Sequence, residues 1–190
     1  MSDRRFLSLD RPDEGEAMGL VECAFLRDAP EGARDRQLLI GDRFKVLERA
    51  DGHAFGVSAK DGYVGYLPLG CLVDYIEPTH WVSALLTHAW PSPSIKSEPF
   101  VFLPMTARVR VVGETDGWCE VEVPGGTGFV PARHLRALGD WGESVVATAR
   151  AFKGTPYVWA GNEPGGIDCS GLVQIAFRSC GFSCPPDSDV

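Results

Sequence analysis

The sequence predicts a multidomain chain, with two small all-β barrels in tandem followed by an α+β part. Three observations predict it. Residues 17–77 and 78–138 are two copies of one pattern, and self-similarity at a fixed spacing marks repeated structural units. Within each copy apolar and charged residues alternate with a period of two, the signature of half-buried strands. Beyond Leu138 the repeat stops and apolar residues recur at helical spacing.

Residues 1–16, MSDRRFLSLDRPDEGE, form an N-terminal tail that lacks the apolar core of a signal peptide. In the first copy Val21–Pro30 (VECAFLRDAP) is echoed by Val82–Pro91 (VSALLTHAWP), and Leu38–Leu47 (LLIGDRFKVL) by Leu103–Val112 (LPMTARVRVV). Phe44 and Val46, then Val109 and Val111, alternate with charged residues. Asp51-Gly52 and Asp116-Gly117 follow as hairpin turns, since both central residues of the favoured two-residue turn need positive φ. Return strands run through Phe55 and Val57, and through Val121 and Val123. Gly65-Tyr66-Leu67-Pro68 and Gly128-Phe129-Val130-Pro131 close the copies, with Leu72 and Leu135 just after. About five short strands fit in each. Units this small bury only about 60% of the unfolded chain's surface, so they are expected to pack on one another or on the third part.

In that third part Asp140-Trp-Gly-Glu143 reads as a capping box, opening a helix with Val145, Val146, Ala149 and Phe152 on one face. Gly154 and Pro156 end it. Cys169, Leu172, Val173, Ala176, Phe177 and Cys180 predict a second helix, which Gly181 ends. Cys169 therefore falls in its first turn, where free N–H groups and the helix dipole favour a thiolate. The Gly161–Asp168 turn before it is glycine-rich and able to leave a side chain exposed. Position alone equally allows Cys169 to be the first apolar residue of the stripe, because free cysteine is among the most buried types.

A net charge of −8 and a pI near 5.0, without any Lys/Arg run, argue against nucleic acid or an anionic membrane as partner. No stretch of 18 apolar residues predicts a membrane span. The six cysteines are scattered and no export signal accompanies them, so they read as reduced thiols of a cytoplasmic protein. Cys180 and Cys184 lack a second Cys/His pair, so no metal site is expected.

The string Gly154-Thr-Pro-Tyr-Val-Trp-Ala-Gly161, followed by Gly166-Ile-Asp-Cys-Ser-Gly-Leu-Val-Gln174, resembles the nucleophile region of the NlpC/P60 family of papain-like cysteine peptidases. The Gly-aromatic-aliphatic-Pro endings similarly resemble bacterial SH3-like barrels. The resemblance implies two SH3-like barrels before an α+β papain-like domain, residues 139–190 being the N-terminal part of that domain. It further implies a peptidase that cuts γ-D-glutamyl-diamino acid bonds in peptidoglycan stem peptides, with no cofactor. Cys169 would be the nucleophile. Asp168, Ser170 and Tyr157 would hold the terminal L-Ala amine and line the site, although Asp168 also reads as an N-cap and Tyr157 as a core aromatic. Tyr63 and Tyr66 of the first barrel would shape the L-Ala end, with Asp35 as an acidic contributor; both tyrosines equally read as ordinary barrel aromatics.

The family takes its base from a histidine well after the cysteine, and this chain has none there. His53, His80, His88 and His134 all lie in or beside the repeats. The family also continues with a sheet, whereas Pro185–Val190 reads as a loop leading into one. The domain is therefore expected to be incomplete within these 190 residues. The leading expectation is a muropeptide-recycling endopeptidase. A non-catalytic peptidoglycan-binding scaffold, or a wall-remodelling amidase or hydrolase, is the alternative.

Overall fold

The computed structural model describes residues 16–185. Of the tail expected over 1–16 only Glu16 is among them, and of the terminal loop only Pro185. The first unit comprises β1 (Glu16–Leu20), β2 (Ala24–Arg27), β3 (Arg34–Leu38), β4 (Phe44–Ala50), β5 (His53–Ser58), β6 (Val64–Pro68) and β7 (Leu72–Asp74). They form one antiparallel sheet in the order β3-β2-β6-β5-β4-β1-β7. The second unit comprises β8 (His80–Val82), β9 (Leu86–Ala89), β10 (Val101–Pro104), β11 (Arg108–Thr115), β12 (Trp118–Val123), β13 (Gly126–Pro131) and β14 (Leu135–Ala137).

The two units share one connectivity. β1 pairs with β4 and β7, and β8 pairs with β11 and β14. The β2–β3 pair meets β6 at Arg27 and Tyr66, and the β9–β10 ribbon meets β13 at Trp90 and Phe129. Even the register shifts match, between Val46 and Glu48 in β4 and between Val111 and Gly113 in β11. At both Asp-Gly turns the two residues have positive φ: 48° and 77° at Asp51 and Gly52, 51° and 80° at Asp116 and Gly117. Each unit has seven strands where the alternation suggested about five. Among the additions, β7 and β14 are three-residue closures after short 3-10 turns, too brief to display a period.

Each unit has its own core, Leu20, Leu26, Leu38, Phe44 and Leu67 in the first and Val82, Leu103, Val121 and Val130 in the second. A third cluster joins Leu39 of the first unit and Met105 of the second to Phe152, Ile167 and Ile175 of the C-terminal part. All three parts therefore share buried apolar surface, the dominant favourable contribution to holding them together.

The C-terminal part comprises α1 (Val145–Ala151), a short hairpin of β15 (Asn162–Glu163) and β16 (Gly166–Ile167), and α2 (Cys169–Ser179). The capping-box expectation is corrected. Ser144 is the N-cap of α1, its hydroxyl accepting from the Ala147 N–H at 3.2 Å. Asp140 instead pairs with Arg136 at 3.0 Å, one turn outside the helix. Phe152 is buried as expected, but Val146 is exposed. The buried face of α2 also differs from the expected stripe: Gly171, Gln174, Ile175, Ala176 and Ser179 face inward, while Val173 is 47% exposed. Close approach sets this phase. A Cβ on Gly171 would strike the Gly161 carbonyl and the Asn162 side chain, so the helix settles on its smallest residue.

Candidate active site

Cys169 occupies the first turn of α2 and is exposed. Asp168 is the N-cap, with φ −101° and ψ −177°, and it is only 7% exposed. Its Oδ1 accepts from the Gly171 N–H at 2.7 Å and the Ser170 hydroxyl at 3.0 Å, while Oδ2 accepts from the Ala160 N–H at 2.9 Å. One carboxylate thus fixes three things: the start of α2, the Ser170 side chain and the preceding loop. A carboxylate offers about four lone-pair sites, so roughly one is left for a ligand.

Tyr157 and Trp159 project beside the thiol segment, 63% and 65% exposed. Partial desolvation, the charges of Cys169 and Asp168 and a hydrogen bond with the Cys169 side chain raise the Tyr157 phenol above its ordinary pKa. The phenol therefore stays protonated and available as a donor next to the sulfur. Tyr157 is a surface residue here and not the core aromatic that its sequence context also allowed.

The first unit docks directly on this loop. Through β3, the Gln37 N–H donates to Ala160 O at 2.9 Å, and Gln37 Oε1 accepts from the Asn162 N–H at 2.7 Å. Gln37 Nε2 donates to Glu163 Oε1 at 2.6 Å, and Asn162 Nδ2 donates to Gln37 O at 2.9 Å. The Trp159 indole N–H reaches the Arg34 carbonyl at 2.9 Å. Ala160, held from both sides, adopts φ +64°, a left-handed conformation that costs an L residue about 1–2 kcal/mol. The loop before the cysteine is thus clamped between β3 and the Asp168 cap.

Of the expected first-unit residues, Asp35 lies on β3, the clamping strand itself. Tyr63 packs against the first core, near the hairpin residue Asp61, which pairs with Arg36 of β3 at 2.8 Å. Tyr66 has its ring 5.0 Å from that of Phe55 and pairs with Arg27 within the sheet. Sequence reasoning missed Gln37, Asn162 and Glu163, whose meeting joins positions 125 residues apart. Trp159 carried a signal, an aromatic in the string before the cysteine.

The four histidines have partners inside the β units. His53 Nδ1 meets Asp51 O at 3.1 Å, His80 Nδ1 meets Thr79 at 2.8 Å, and His134 Nδ1 meets Thr87 at 2.8 Å. His88 packs on Trp90 and Phe102. Among the described residues, no group of three or more His, Cys, Asp or Glu side chains is arranged to hold a metal ion.

Residues 154–189 match the model of the NlpC/P60 family, and residues 26–72 match that of the bacterial dipeptidyl-peptidase SH3 domain. A probable endopeptidase of Mycobacterium tuberculosis is 42% identical over 65 residues, 34% of this chain and 17% of that protein's length. A γ-D-glutamyl-L-lysine dipeptidyl-peptidase of Bacillus subtilis is 39% identical over 46 residues, 24% of this chain and 16% of that protein. The matches therefore span under a fifth of these relatives' lengths. In fold, the chain resembles an NlpC/P60 family protein from Bacillus cereus, with a TM-score of 0.79 at 20% identity, covering 91% of this chain and 75% of that one.

Proposed function

We propose that the chain is a cysteine endopeptidase, residues 154–189 matching the NlpC/P60 family model and residues 26–72 that of the bacterial dipeptidyl-peptidase SH3 domain. Its substrate is the γ-D-glutamyl-diamino acid bond of peptidoglycan stem peptides with a free N-terminal L-Ala, and its setting is cytoplasmic cell-wall recycling. The observation that carries this reading is Cys169, exposed at the start of α2 beside Tyr157 and behind an Asp168 cap.

Cys169 Sγ attacks the isopeptide carbonyl, the C–N bond breaks as the diamino acid departs with its nitrogen protonated, and water then hydrolyses the resulting thioester to free the D-glutamyl carboxylate and the thiol. The Cys169 backbone N–H is a donor for the developing oxyanion, since the first N–H groups of a helix have no intrahelical acceptor. Asp168 supplies its remaining lone pair to the L-Ala ammonium, with Ser170 and the Tyr157 phenol beside it. Asp35 and the Tyr63 hairpin belong to the unit that closes this end. His53, His80, His88 and His134 have their partners inside the β units, which disfavours each of them as the base for Cys169.

The test uses L-Ala-γ-D-Glu-diaminopimelate, free and N-acetylated, with the full-length protein. Cleavage of the free peptide, abolished by Cys169→Ala, is expected. Acetylation removes the charge and leaves a buried carboxylate without its partner, costing about 2–5 kcal/mol or some 30-fold to several thousand-fold in kcat/KM. Equal rates on both peptides would exclude recognition of the free amine and point to a wall-remodelling hydrolase. The engagement of all four histidines also favours a second reading, a binding scaffold, which complete absence of turnover by the full-length protein would support.

A further inference from the structure

A cavity of about 360 Å³ is not lined by Cys169. It lies where the three parts of the molecule meet. Asp42 and Lys60 come from the first unit, Arg108 from β11, and Gln174 and Arg178 from α2. Arg178 is nine residues past Cys169, about 13 Å along the helix axis and half a turn around it. The cavity is therefore spatially separate from the nucleophile.

Its charge is unbalanced. Arg43, Lys60, Arg108 and Arg178 line it, against the carboxylates of Asp42 and Asp61. Asp61 is taken by Arg36 at 2.8 Å, both side chains being almost fully buried. Asp42 is shared between Lys60 at 2.9 Å and Arg178 at 2.8 Å. The half-buried Arg108 side chain feels the carboxylates of Asp42 and Glu77, with no ion pair to either among the described residues. Its burial and the neighbouring Arg178 charge push its pKa below the ordinary arginine value. Gln174 is 4% exposed, and its Nε2 has no hydrogen-bond partner among the described residues. Buried donors without acceptors are rare in folded proteins, and each requires an explanation.

We propose that this cavity binds a compact oxyanion carrying more than one negative charge, a phosphate or a small dicarboxylate. Such a ligand supplies the acceptors that Arg108 and Gln174 lack, and a planar guanidinium suits bidentate contact with either group. Because the lining is drawn from all three parts, the bound anion holds them in one arrangement and stabilises the folded chain by mass action.

The 190-residue chain is titrated with inorganic phosphate and, separately, with succinate, chloride being exchanged to keep ionic strength constant. Calorimetric binding and thermal unfolding are read. Saturable binding that raises Tm is expected with one or both, and the responding anion identifies the ligand chemistry. Arg108→Gln should weaken binding about tenfold or more, the loss of one charge-assisted contact. It should also raise Tm slightly in chloride alone, by removing repulsion with Arg178, which shows that the variant folds. Gln174→Leu should weaken binding as well. Arg150→Gln, at an exposed position of α1, should leave it unchanged. No saturable response to either anion, or equal losses in Arg108→Gln and Arg150→Gln, would overturn the proposal.

Discussion

At the residue scale the site depends on Asp168. Its carboxylate accepts three hydrogen bonds, from Ala160, Ser170 and Gly171. Two of these come from backbone N–H groups that are buried with it. Asp168→Ala should therefore cost about 1–2 kcal/mol, the upper part of the usual range for a lost N-cap. Urea unfolding of the 190-residue chain measures this directly. A change below a few tenths of a kcal/mol would mean that the cap is not needed to start α2. A sequence reading reaches this role without difficulty, because Asp immediately before a helical stripe is a local signal. The three-way sharing is different: Ala160 lies eight residues away on the far side of a hairpin.

At the element scale the determining contact is that of α2 with the β15 hairpin. The apolar stripe from Cys169 to Cys180 predicts the helix correctly, but places its buried face too far round. Helical periodicity reports which residues are apolar. Close approach of backbone decides which of them turn inward. Gly171 permits that approach, and Gly171→Ala would drive its methyl group into the Gly161 carbonyl. Overpacking of this kind costs about 1–3 kcal/mol. The same substitution should perturb the loop before Cys169, seen as altered tryptophan fluorescence from Trp159. Unchanged stability and fluorescence would show that the helix sits further from the hairpin. The hairpin turns of the repeats were legible for the opposite reason: Asp51-Gly52 and Asp116-Gly117 are determined by their own φ requirements and by nothing distant. The Gln37 clamp had no local signal, since its polar partners become neighbours only once two separate units have docked.

At the scale of the whole molecule, Asp42 ties the first unit to α2 through Lys60 and Arg178. Burial pushes its pKa up, but the two cations and their hydrogen bonds more than offset this, and the carboxyl is held below its usual range. A depressed folded-state pKa contributes stability above the unfolded value, near 3.8. That contribution is lost as pH falls through the folded value. Asp42→Asn should therefore flatten the acid limb of the stability profile below about pH 4. At neutral pH it should cost about 3–5 kcal/mol, because two buried cations lose their partner. An acid limb identical to that of the unaltered chain would show that the ion triad does not link the units.

Of the six cysteines Cys169 is the exposed one, and the proposed nucleophile is tested most directly by thiol reactivity. Burial, with Glu163 adding to it, pushes the Cys23 thiol up to about 12. Desolvation also raises Cys71 and Cys119. Brief treatment of the 190-residue chain with iodoacetamide near neutral pH, followed by peptide mapping, gives the order in which these thiols react. Cys169 should be modified well before Cys23, Cys71 and Cys119, in keeping with the dependence of alkylation on thiolate and access. Labelling of Cys169 no faster than that of the three thiols in the β units would contradict the account.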